Sequence, residues 1–295
     1  MKRIYFVITA FCAGLLFAAP VPEFDEGHAE NTPLYFGNPS DAVHEVASET
    51  NYLMEKPQFT LSYNNFTLNP NWVGWHLCKE DLGEADRSNN FRPDTELPEG
   101  WYAVRKNDYK FSAYGFDRGH ICPSADRTAT TEDNSMTFLM TNMVPQAPDN
   151  NRIVWVALEK YERELVLEGK EAYIFAGPCG RGGTGDKGYF EGIPVAGGTG
   201  SAGGAGGAGR EIEVPAYTWK ILLILPKGEN DLERVSDSCE VIAVCVPNEK
   251  GCGKNGSWQQ YICSIDYIEE ITGYDFFELL PDEIEEEIES RVMSW

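Results

Sequence analysis

Histidine is scarce in this chain, with four among 295 residues, and so is positive charge. Lys and Arg total 24 against 47 Asp and Glu, a formal net charge of −23. His28, His44 and His76 are read as lacking ligand-like partners nearby, which argues against a zinc phosphoesterase built on several histidines. No C-x-x-C pair occurs, so the cysteines do not read as a zinc site. Neither G-x-S-x-G nor H-E-x-x-H is present, which removes the serine-hydrolase elbow and the zinc-protease helix. No run reaches the roughly 18 apolar residues that a membrane span needs.

What is present suits a folded, exported protein. Hydrophobic residues make up 42% and aromatics 12%, enough for a packed core. Lys2 and Arg3 precede an apolar stretch, Ile4 to Phe17, and small residues at Ala18 and Ala19. This is the pattern of a secretory signal peptide over 1–18, and it places the protein outside the cell or in the periplasm, with no membrane association after cleavage. Residues 19–56 are polar and proline-dotted and read as a flexible N-terminal arm. Residues 57–295 read as one domain. The seven cysteines beyond the leader (Cys78, Cys122, Cys179, Cys239, Cys245, Cys252 and Cys263) are candidates for disulfides, with an odd one left over.

The charge is unevenly spread. Glu23 to Glu49 holds seven acids and no base, and Asp266 to Arg291 holds eleven acids and one base. Between Arg87 and Arg127 seven bases meet six acids. The acidic ends read as solvated faces, so the net charge does not exclude a polyanionic partner.

Hydrophobic patterning predicts α+β. Phe59, Leu61 and Tyr63 alternate as on a half-buried strand, and "NWVGWHL", "TFLMTNMV", "EAYIFAG", "TWKILLIL" and "EVIAVCV" are further strand candidates. Thr131 is a candidate cap for a short helical turn. From Asp149 or Asn150 as a cap, Val154, Leu158, Tyr161 and Leu165 recur at helical spacing, and Gly169 closes the helix. "PDEIEEEIESRV" puts Ile284, Ile288 and Val292 on one stripe. Glycine crowds residues 180–210, which read as a long surface-loop insertion without packed elements. Gly180, Gly182 and Gly185 match a dinucleotide fingerprint there, but no helix follows to receive a pyrophosphate.

The chemistry gathers in the middle. His120 closes the tetrapeptide Asp117-Arg118-Gly119-His120, and a neutral imidazole can take a proton from water. Gly119 would permit a tight turn. On the following helix Asn151, Trp155, Glu159 and Arg163 are each four apart, as on one stripe. An amide oxygen and a carboxylate are hard donors that suit Mg²⁺, and an arginine suits a phosphate.

DRGH, then Asn142-Met143-x-Pro145-Gln146, then Asn150-Asn151-Arg152, then Leu158-Glu159-x-Tyr161, resembles the DNA/RNA non-specific endonuclease family of ββα-metal nucleases. "EADRSNNFRPDTELPEGW" upstream and "ITGYDFF" downstream extend the resemblance from about Phe59 to the C-terminus. The resemblance implies a central antiparallel sheet with flanking helices. It implies a Mg²⁺-dependent hydrolase of DNA and RNA with little sequence preference and 5′-phosphate products, Mn²⁺ being an alternative ion. It assigns His120 as general base, Asn151 as direct metal ligand and Glu159 as a ligand through water. Arg87, Arg118 and Arg163 become phosphate-binding arginines, while Asp117, Asn142 and Asn150 support the site. DNA and RNA are the implied partners; a protein inhibitor, and a monomer or a homodimer, stay open. The non-enzyme alternative is a catalytically weak binding module on the same fold. Cys122, two residues after His120, departs from the family pattern.

Overall fold

The computed structural model describes residues 30–195, 209–254 and 257–294. The signal peptide and the first part of the expected arm lie outside the described residues. The strands are β1 (Tyr52–Lys56), β2 (Phe59–Asn64), β3 (Asn69–Leu77), β4 (Asp117–His120), β5 (Met143–Gln146), β6 (Lys170–Cys179), β7 (Gly183–Gly185), β8 (Gly188–Phe190), β9 (Gly192–Pro194), β10 (Glu211–Glu213), β11 (Tyr217–Pro226), β12 (Glu240–Pro247) and β13 (Ile262–Cys263). The helices are α1 (Phe111–Tyr114), α2 (Thr131–Met136), α3 (Val156–Leu167), α4 (Asp231–Arg234), α5 (Ile265–Thr272) and α6 (Asp282–Glu289).

Seven strands form one antiparallel sheet in the order β1-β2-β3-β6-β11-β12-β13. Its middle strands are apolar on both faces because both are covered. On one face Trp75, Ile174, Leu222 and Ile242 pack against Val154, Trp155, Leu158 and Leu165. On the other, Tyr173, Phe175, Trp219 and Leu223 pack against Ile265, Ile268, Phe276, Phe277 and Ile288. The expected α+β class and central antiparallel sheet are present. β4 and β5 stand apart as a two-stranded ribbon, and they carry the DRGH tetrapeptide.

Several local expectations change. The arm is not flexible over its described part: Leu34 and Phe36 are buried, and β1 is the sheet's edge strand. Two apolar side chains gained a covered site, which outweighed the polar composition around them. In the glycine-rich segment, β7 pairs with β8 and β9 with β10, and Ile193 and Ile212 are fully buried. Local pairing and two isoleucines were enough to order the flanks of a stretch whose composition alone suggested none. "TFLMTNMV" is a strand only from Met143 onward, and α2 is capped by Thr130, whose hydroxyl accepts from the Asp133 N–H. Val292 is exposed, so the last stripe buries only Ile288 fully. All seven described cysteines are free thiols in this structure, with the Cys179 and Cys245 side chains in contact.

Candidate active site

The ribbon sets the first half of the site. β4 pairs antiparallel with β5, with His120 opposite Met143 and Asp117 opposite Gln146. Gly119 is needed here for close approach, not for a turn: a Cβ at that position would lie 2.1 Å from Gln146 Oε1. Gln146 Nε2 donates to Asn150 Oδ1 at 2.6 Å, and Asn150 Nδ2 donates to Thr218 Oγ1 and to the Pro247 carbonyl. Asn142 holds the chain just past His120. Its Oδ1 accepts from Cys122 N–H at 2.9 Å, and its Nδ2 donates to the carbonyls of Cys122 and Thr137. Asn142 and Asn150 are fully buried and fix the ribbon to the helix that follows. Cys122 is buried beside them.

That helix does not begin as expected. Residues Asn150–Trp155 form a π-helical segment that passes into α3, and no side-chain cap is made by Asp149, whose carboxylate accepts from Gly251 N–H instead. The wider turn breaks the predicted four-residue stripe. Trp155 points into the core, while Asn151, Arg152, Val156 and Glu159 line one cavity. π-Segments of this kind recur at functional sites.

The cavity measures about 280 Å³ and is also lined by Arg87, Arg118, His120 and Ser124. His120 is 7% exposed. Its ring meets Phe138 edge-on at 4.8 Å and Phe91 at 5.6 Å. Nε2 is enclosed without a hydrogen-bond partner, which leaves Nδ1 as the nitrogen open to the cavity. Burial, reinforced by the Arg87 and Arg118 guanidiniums, pushes the imidazole pKa well below its usual 6.5. The same two aromatics carry the arginines: Arg118 lies 4.5 Å over Phe91 and Arg87 4.9 Å over Phe138. Arg87 also donates to Ser124 Oγ and to Asn89 Oδ1. Burial lowers the Arg87 pKa, and Glu159 opposes the shift.

Asp117 orients the metal-donor candidate. Asn151 Nδ2 donates to Asp117 Oδ2 at 2.9 Å, so the Asn151 carbonyl oxygen is the end left for the cavity. Arg152 clamps the same carboxylate with two hydrogen bonds of 2.8 and 2.6 Å. The Glu159 carboxylate, 9% exposed, makes no hydrogen bond to the described residues. Burial raises its pKa from 4.5 to about 7; Asp126 adds to the rise, while Lys220, Arg163 and Arg87 oppose it. One neutral amide oxygen and one unpartnered carboxylate fit a hard, largely hydrated divalent ion.

Of the four arginine and carboxylate side chains expected to act at the site, Arg87, Arg118 and Glu159 line the cavity and Arg163 does not; Asp117, Asn142 and Asn150 stand behind the lining, in the supporting place expected of them. The Arg163 Nη1 is ion-paired to the fully buried Asp126 at 2.7 Å, and Trp75 Nε1 also donates to Asp126. Nearby, Lys220 and Glu162 form a wholly buried pair at 3.1 Å, with the ammonium between Trp75 and Trp155. Sequence reasoning missed Arg152, Ser124, Phe91 and Phe138 as site residues. Arg152 stood in the Asn-Asn-Arg run itself; the aromatics carried no local signal. His76 does have neighbours, contrary to expectation: Glu171 at 3.2 Å, and Cys78 and Asp81 within a 4.8 Å cluster.

The profile of the DNA/RNA non-specific endonuclease family matches residues 37–283. The chain belongs to the DNA/RNA non-specific endonuclease family. It is 46% identical over 259 residues to a nuclease of Nostoc sp., covering 88% of this chain and 85% of that one. It is 32% identical over 222 residues to the mitochondrial nuclease EXOG of Danio rerio, covering 75% of this chain and 59% of the relative. A chain in the crystal structure of the EndoG/EndoGI complex superposes with a TM-score of 0.64 at 21% identity, covering 87% of this chain and 96% of that one; this likeness concerns the fold. As a member, the protein is a metal-dependent endonuclease of the ββα-metal type.

Proposed function

We propose that the cavity between the β4–β5 ribbon and the head of α3 hydrolyses phosphodiester bonds of DNA and RNA, with His120 as general base and Asn151 and Glu159 holding Mg²⁺. The observation that carries this reading is the convergence of an uncharged imidazole, a free amide oxygen and an unpartnered carboxylate on one cavity rimmed by Arg87 and Arg118.

Asn151 would hold the ion directly and Glu159 through its water shell, and when bound there it would supply positive charge beside the phosphate and the leaving 3′ oxygen. His120 Nδ1 takes the proton of the attacking water. Its depressed pKa keeps it neutral, and therefore competent, across the physiological range. Arg118 and Arg87 face the phosphate's oxygens, stiffened by their stacking on Phe91 and Phe138. Arg163 holds Asp126 and acts only through the packing around Glu159. Phosphate and sugar contacts carry little base information, so cleavage is nearly independent of sequence, and departure of the 3′ oxygen leaves a 3′-hydroxyl on one fragment and a 5′-phosphate on the other.

Purified protein incubated with supercoiled plasmid and with RNA tests this. Mg²⁺-dependent loss of both substrates, abolished by EDTA, is expected. Intact substrates at high protein concentration would overturn the reading in favour of a binding module. The apolar N-terminal stretch supports export, and a mature N-terminus beginning near residue 19 would test it. The inhibitor named with EndoG in the solved complex supports testing whether a protein inhibitor covers this cavity too.

A further inference from the structure

A second cluster lies on the opposite face of the sheet, between α5 and α6. Asp266 and Glu269 are one turn apart on α5, and Glu289 is the last residue of α6. One carboxylate oxygen from each lies within 4.8 Å of the other two. Glu289 is 7% exposed, and its Oε1 is enclosed with no hydrogen-bond partner. Glu269 satisfies one oxygen by accepting from Phe276 N–H at 2.8 Å. Among the described residues none of the three makes an ion pair. Arg291, the nearest base in sequence, is turned to the Cys239 and Asp237 carbonyls and to Glu287. The C-terminal end of α6 adds its own negative dipole, with no base in its last turn.

The three carboxylates, of which Glu289 carries an enclosed, unpartnered oxygen, repel one another unless something positive sits among them. We propose that Asp266, Glu269 and Glu289 form a calcium site that clamps α6 to α5, separate from the nuclease cavity. The dimension fits: oxygens bound to one Ca²⁺ at about 2.4 Å can be no more than about 4.8 Å apart. Calcium also tolerates irregular carboxylate sets and sheds water readily, whereas Mg²⁺ demands octahedral geometry at about 2.1 Å and keeps its waters. The clamp would secure Ile288 and Phe276 against the sheet.

The test is calcium titration of the EDTA-washed full chain, followed by calorimetry and thermal unfolding. The nuclease cavity is a second binding site for divalent ions, so the comparison is between wild type and Glu289→Gln. Wild type is expected to bind one more Ca²⁺ than the variant, and its Tm is expected to rise by about 4–8 °C at a hundredfold excess over Kd. Glu289→Gln should lose that increment while keeping its Mg²⁺-supported nuclease activity, which separates failure here from failure of the proposed active site. Asp266 is exposed, so Asp266→Asn should fold and bind the ion about tenfold more weakly. Equal calcium stoichiometry and equal Tm response in wild type and Glu289→Gln would overturn the proposal.

Discussion

Replacing Glu159 by glutamine keeps the shape of the side chain and removes its charge. The consequence for stability can be worked from the structure. The folded-state pKa is raised from 4.5 to about 7, chiefly because the carboxylate is buried. A raised carboxylate pKa means the folded state favours the proton. This group therefore costs nothing below about pH 4.5, costs progressively more as pH rises toward 7, and levels off above it. At about 1.4 kcal/mol per pH unit the plateau is about 3 kcal/mol. Glutamine cannot ionise and escapes that cost. Urea unfolding in EDTA should therefore show Glu159→Gln gaining about 3 kcal/mol on wild type between pH 4.5 and pH 8. Saturating Mg²⁺ should shrink the gain, because the ion stabilises the wild-type carboxylate. The same variant should lose activity, about 10–100-fold in metal affinity or rate. A stability difference that is the same at pH 5 and pH 8 would refute the burial argument. Full activity at low Mg²⁺ would refute the role in the ion's water shell.

The remaining predictions concern the other residues of the cavity and its support. His120→Ala should lower kcat on the order of 10²–10⁴-fold without loss of the folded state, as judged by circular dichroism. In wild type at saturating Mg²⁺, which keeps Glu159 ionised, the acid limb of kcat/KM should fall below pH 6.5, because the neutral base survives until pH drops through its depressed pKa; a limb at or above 6.5 that stays put as Mg²⁺ is raised further would contradict the assignment. Asn151→Ala should raise the Mg²⁺ concentration for half-maximal activity steeply. Asp117→Ala should raise it about 10–100-fold by releasing the Asn151 amide, and unchanged titrations would remove both residues from the metal site. Lys220→Met strands Glu162 as a buried charge and should destabilise by about 3–5 kcal/mol in chemical denaturation. Adding Glu162→Gln should recover part of that loss.

Some elements were readable because their signal is local. Phe59, Leu61 and Tyr63 alternate along β2, and Val154, Leu158 and Leu165 repeat along the helix, so strand and helix follow from which side chains must share a face. The order of DRGH, Asn-Met-x-Pro-Gln, Asn-Asn-Arg and Leu-Glu-x-Tyr pointed to the family and to His120, Asn151 and Glu159, all of which meet at one cavity. The N-terminal arm and the glycine-rich flanks were misread because Leu34, Phe36, Ile193 and Ile212 find partners far away in sequence. Composition averages over such residues and cannot see the surface that waits for them.

The sequence by itself determined the α+β class, the strand and helix periodicities and the family to which the chain belongs. Those depend on spacing along the chain and on residue type. Only the tertiary structure decided that a π-segment turns Trp155 inward and Asn151 outward, that Asp117 and Arg152 hold the amide, and that Arg163 stays with Asp126 behind Glu159. It alone brought Phe91 and Phe138 beneath the histidine and both arginines. The reason is physical: solvation, charge pairing and side-chain direction are set by whatever chain segments arrive from elsewhere, and those arrivals leave no mark in any local window of residues.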